Sequence, residues 1–100
     1  MLKQKYNHPN HLILYRQRMA FTQTQVAQLL GHRDSKRISN LELGRRLPSL
    51  QTSLRLAIIY RVPVDFLYPE MYSAQREQIR AREQSLKLGQ QQGTLFEGDR

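Results

Sequence analysis

The residues of this chain with the most to do chemically lie between Thr22 and Pro48, in TQTQVAQLLGHRDSKRISNLELGRRLP. Within that stretch, Ser35-Lys36-Arg37-Ile38-Ser39-Asn40-Leu41-Glu42 sets two apolar residues, Ile38 and Leu41, three apart. On a helix that spacing makes one apolar face. It leaves Lys36, Arg37, Ser39 and Asn40 for the other faces. Arginine and lysine donate to guanine O6 and N7, and an asparagine amide pairs with adenine N6 and N7. A short helix with an apolar back and such a front has the dimensions that the DNA major groove accepts.

Other chemistries find less support. His8 and His11 are three apart, but Pro9 lies between them and no cysteine or paired acid accompanies them, so they read as solvated histidines rather than metal ligands. His32 reads as a solvent or phosphate contact. The eight acids are scattered, and there is no Ser/His/Asp grouping or Gly-rich phosphate loop. The expectation is therefore no catalysis, no metal and no cofactor.

Several helices must position the polar front. A first helix is expected from about Asn10, its N-cap, to Ala20, with Leu12, Ile13, Tyr15 and Met19 at helical spacing. Thr22 caps a second, with Gln25 in capping-box position and Phe21 as the staple residue. Val26, Ala27, Leu29 and Leu30 form its apolar face, and Gly31 ends it in a left-handed position. Asp34 or Ser35 caps a third helix to about Leu43, stopped by Gly44. Ser49 caps a fourth through Tyr60; Leu50, Leu54, Leu56, Ala57, Ile58 and Ile59 predict it to be the most buried of the set. Pro63 breaks the chain, and a short fifth helix follows over about Val64–Tyr68 with Phe66 and Leu67 inward. No segment alternates as a half-buried strand does, so the fold class is all-α with five helices.

Two flanks complete the chain. Residues 1–9 are expected to be a flexible basic arm, residues 10–72 the folded domain, and residues 73–100 a Gln/Arg/Glu-rich tail, helical to about 88. A solvated helix is the simpler reading of that tail, although Ile79, Arg82 and Leu86 at helical spacing offer a seam to a partner.

Charge is concentrated where the third helix sits. The net charge is +8; residues 1–48 carry nine bases against Asp34 and Glu42, whereas residues 49–72 balance and residues 73–100 are at +1. That asymmetry favours a polyanion bound at one face. No cysteine is present to make a disulfide or thiolate site. No apolar run approaches the roughly 18 residues of a membrane span, and the basic N-terminus has no apolar stretch behind it. A cytoplasmic protein is the expectation.

In order along the chain, Arg16, Thr22-Gln23, Ala27, Gly31, Ile38 and Leu41-Glu42-Leu43-Gly44-Arg45-Arg46-Leu47-Pro48-Ser49 resemble the lambda-repressor/Cro-like helix-turn-helix family, over about Leu12 to Leu67. There are two departures. Gly31 to Ile38 spans seven positions, one more than the tightest form of the motif, which implies a bulge at His32-Arg33-Asp34. Leu43 replaces the polar residue, often Asn, that stands between the Glu and the Gly. The resemblance implies a DNA-binding domain whose recognition helix covers about 35–43. Ser35, Lys36 and Arg37 would then point into the groove, with Lys36 or Arg37 on guanine and Asn40 on adenine. Ser39 would reach a phosphate. Thr22 and Gln23, at the start of the second helix, would hold phosphate near a helix N-terminus, and Arg33, Arg45 and Arg46 would lie along the backbone. Arg16 and Glu42 match the family's structural ion pair under the motif.

The sequence thus points to a site-specific binder of double-stranded DNA, most simply a transcriptional regulator, a repressor of bacterial or phage type. A homodimer on a palindrome, with recognition helices about 34 Å apart, is one expectation. The alternative is an antitoxin-like interaction module of the same fold, with residues 73–100 binding a protein partner.

Overall fold

The computed structural model describes residues 8–93, with side chains to residue 89; the arm over 1–7 and the segment 94–100 lie outside the described residues. Five α-helices follow in order: α1 Leu12–Arg18, α2 Gln23–Leu30, α3 Lys36–Glu42, α4 Leu50–Tyr60 and α5 Pro69–Gly93, with a 3-10 turn Val64–Phe66 before α5. No strand occurs among the described residues.

The helix starts follow from short polar side chains. Thr22 Oγ1 accepts from the Gln25 backbone N–H at 3.0 Å while Gln25 Oε1 accepts from the Thr22 N–H at 2.8 Å, a complete capping box. Ser49 Oγ accepts from the Thr52 N–H at 3.1 Å at the head of α4. At α3 the cap comes from Asp34, whose Oδ1 accepts from the Lys36 N–H at 3.0 Å, while Ser35 makes no side-chain cap. Asn10 Oδ1 serves α1 from just outside it, accepting from the Leu12 N–H at 3.0 Å.

All four short helices end alike. After α2, Gly31 N–H bonds Gln28 O and His32 N–H bonds Ala27 O at 2.8 Å, the paired bonds of a Schellman motif around a left-handed residue at φ +83°. Gly44, at φ +78°, does the same after α3. Ala20 (φ +60°) and Arg61 (φ +59°) hold the equivalent positions after α1 and α4 without the freedom of glycine.

The core gathers Leu12, Tyr15, Val26, Ala27, Leu30, Ile38, Leu41, Leu56, Tyr60, Leu67 and Tyr68. Three expectations about it change. The predicted fourth helix is not the most buried: Leu56 and Tyr60 are its buried residues, while Leu50 and Ile58 are 75% and 73% exposed. α4 is apolar nearly all round, but the small domain packs against one side of it. Leu29 of α2 and Ile13 of α1 also face outward, as does Phe66, which the fifth segment was expected to turn inward. In the tight 3-10 turn, Leu67 alone of that pair reaches the core.

The short fifth helix expected over Val64–Tyr68 is the 3-10 turn, and α5, the helix expected in the tail from residue 73, starts earlier and runs longer. Pro69 stands at its first position, where a missing N–H costs nothing. The helix then runs unbroken past residue 88 to Gly93, so residues 73–93 continue an element rooted in the domain. From Ala74 to Gly89 every residue is exposed, including Ile79, Leu86 and Leu88. At the opposite terminus the expected arm is held at its last residues. Asn10 Nδ2 donates to His8 O at 2.9 Å and to Leu41 O at 3.0 Å. His8 in turn lies so close to Gly44 that a Cβ there would come within 2.8 Å of His8 O.

Candidate nucleic-acid interface

Helix α3 rests on the core through Ile38, 2% exposed, and Leu41. Its last carbonyls need partners. Asn10 supplies one to Leu41 O, and the turn at Gly44 and Arg45 closes onto Leu41 O and Asn40 O at 3.0 Å each. The sequence marked Asn10 as a cap for α1. Its second contact bridges 31 residues and has no local signal.

Beneath the motif, Arg16 and Glu42 form a two-pronged ion pair: Nε to Oε2 at 2.6 Å and one terminal guanidinium nitrogen to Oε1 at 3.2 Å. The Glu42 side chain is 2% exposed. Arg16 also donates to Phe21 O at 3.1 Å, tying the loop between α1 and α2 to the pair. The hydrogen bond to Glu42, together with its charge, raises the guanidinium pKa against the opposing effect of burial. Gln23 completes the group, its Nε2 donating to Glu42 Oε1 at 2.8 Å. One N–H of the amide expected on phosphate is thus engaged in the scaffold, on the N-terminal turn of α2. Burial, helped by the Glu42 charge, drives the neighbouring Tyr60 hydroxyl well above the usual tyrosine range, so it stays protonated.

Above this scaffold, His32, Arg33, Asp34, Lys36, Arg37, Asn40 and Arg46 line one open concavity. Five of the residues predicted from sequence (Arg33, Lys36, Arg37, Asn40 and Arg46) thus meet on a single face. Arg45 adjoins it, donating to Asn40 Oδ1 at 3.3 Å. Thr22 is exposed at the head of α2, and Ser35 and Ser39 are half-buried; none of these three lines the concavity. His32 lines the concavity as well, with its Nδ1 buried and its Nε2 facing the Arg37 guanidinium at 3.2 Å.

The concavity carries four arginine or lysine head groups and a single acid, Asp34, whose Oδ1 is already bonded to the α3 backbone. Such a surface attracts polyanions. Its asparagine and arginine also bring the donors and acceptor that base edges match. Among the described residues no three metal-ligating side chains converge, and no helix is long and apolar enough to cross a membrane.

No curated protein and no solved structure matches the chain. A family model described as helix-turn-helix does match it, over residues 12–67. That span takes in α1 through the 3-10 turn and every residue of the face just described. The chain belongs to the lambda-repressor/Cro-like helix-turn-helix family of DNA-binding domains.

Proposed function

We propose that this protein binds specific sites on double-stranded DNA by inserting α3 into the major groove, and that it does so as a transcriptional regulator. The observation that carries this reading is the convergence of Arg33, Lys36, Arg37, Asn40 and Arg46 on one solvent-facing concavity, with the apolar back of α3 locked into the core. Lys36 or Arg37, together with Asn40, reads base edges. Arg33, Arg45 and Arg46 neutralise phosphates and set the register, with Thr22, Ser35 and Ser39 as neutral backbone contacts. A bacterial or phage repressor working in the cytoplasm, as a homodimer on a palindrome, is the form that best fits a small domain with a single reading helix.

The test is the salt dependence of duplex binding. Each neutralised phosphate contributes about −0.9 to the slope of log affinity against log salt. Arg46→Ala is expected to weaken all sequences alike and to reduce the slope by about one. A binding constant indifferent to salt would remove the reading.

A second reading rests on α5. It presents Ile79, Leu86 and Leu88 to solvent, each more than half exposed, with no contact to the domain that would explain them. In this reading residues 73–100 dock a protein partner, as in an antitoxin-like module, and the DNA face serves to localise the complex.

A further inference from the structure

We propose that His32 is a positioning residue for Arg37, and that Arg37, rather than Lys36, makes the guanine contact of the recognition helix. The inference rests on the DNA reading above and deepens it.

The geometry begins at the backbone. Gly31 takes the left-handed conformation, and the Schellman bond from His32 N–H to Ala27 O at 2.8 Å pins His32 to the end of α2. The lengthened turn then carries the imidazole to the first turn of α3. There its Nε2 lies 3.2 Å from a terminal nitrogen of Arg37. A guanidinium has only donors, so Nε2 must offer its lone pair and the ring proton must sit on Nδ1. That Nδ1 is buried and has no partner. An apolar ring would fill the same space without an orphaned donor. The one hydrogen bond an imidazole gains here is the bond to Arg37.

A neutral acceptor does what a carboxylate could not. It fixes the direction of the guanidinium while leaving its full positive charge facing outward, and it occupies one of five N–H groups. Reading guanine requires the two-pronged fork to meet O6 and N7 together, which depends on orientation. A phosphate contact does not. Arg37 is held in this way, whereas Lys36 carries a flexible ammonium that suits a phosphate. Ordering the side chain before binding also removes part of the entropy lost on contact.

Selection of binding sites from random duplex DNA, run on the full chain and on variants, tests the proposal. The wild type is expected to enrich a motif containing a guanine whose preference disappears in Arg37→Ala. His32→Phe, which keeps a planar aromatic ring but has no acceptor, is expected to lower the preference at that same base pair by about two- to tenfold. Its thermal unfolding should be no lower than that of the wild type, and its salt slope on non-specific duplex should be unchanged. His32→Gln, which restores an acceptor, is expected to recover the preference. The proposal is overturned if His32→Phe keeps the wild-type preference at the Arg37 base pair, or weakens all sequences evenly. It is also overturned if Lys36→Ala, not Arg37→Ala, abolishes the guanine. A wild type that enriches no motif defeats the underlying DNA reading itself.

Discussion

Gln23 shows how a residue type can suit two roles and the fold can engage it in one. Its place at the head of α2 predicts a phosphate contact, yet its amide donates to the buried Glu42 carboxylate. A hydrogen bond to a charged group contributes about 1.5–3 kcal/mol. Gln23→Ala should therefore lower unfolding stability by about that much in denaturant titration. Unchanged stability with weakened DNA binding would return the residue to the phosphate. Glu42→Ala should cost more, about 3–5 kcal/mol, because it leaves the Arg16 guanidinium without its partner. Its loss of DNA binding would then track unfolding. Arg16 and Glu42 were legible because the resemblance marks them as the family's ion pair, and an acid on a helix that faces phosphate also belongs inward. Gln23 was not, since nothing local to it records a carboxylate 19 positions away. Tyr68 gives a prediction in pH. Burial pushes its hydroxyl up to about 12, against about 10 in the unfolded chain. The unfolded state thus releases its proton first, and the associated stability, complete below about pH 10, is lost as pH rises towards 12. Tyr68→Phe should flatten that fall in a series of alkaline melts at little cost, since the hydroxyl has no partner.

Among the elements, the four Schellman ends separate what residue type reveals from what it conceals. Gly31 and Gly44 announced their helix stops, because glycine is the residue that occupies a left-handed backbone freely. Ala20 and Arg61 sit in the same conformation with no such signal, so α1 was expected to run through Ala20 itself. The strain at both is a reserve of stability. Ala20→Gly and Arg61→Gly are each expected to raise the unfolding free energy by about 0.5–1 kcal/mol. A fall in melting temperature for either variant would contradict that geometry. The caps at Thr22 and Ser49 were legible for the same local reason. The burial of α4 was not, because six apolar positions say that a helix can be covered all round, not that a domain this small supplies neighbours on every side.

Across the whole molecule, a helix-turn-helix domain is joined to a helix that leaves it. At 1.5 Å per residue, the 25 residues of α5 span about 38 Å. The sequence marked this region as helical tail but could not show that it is continuous with the domain, since the root at Tyr68 and Met71 is apolar and the remainder is not. Ending the chain after Gln75 should leave thermal unfolding nearly unchanged, because every residue from Ala74 to Gly89 is exposed. A large drop in stability would mean that α5 packs on the domain beyond Gln75. The convergence of the candidate face, by contrast, was largely legible, because it lies on one short helix and its flanking turns. What stayed hidden was the pairing within it, His32 with Arg37 and Arg45 with Asn40, which depends on where the longer turn places its side chains. The central claim is that α3 reads sequence, and site selection on random duplex DNA with Asn40→Ala tests it most directly. The account predicts that the variant still binds duplex with a normal salt slope but loses about 1–3 kcal/mol of discrimination at one base pair of the wild-type motif. An identical motif from wild type and Asn40→Ala would contradict it.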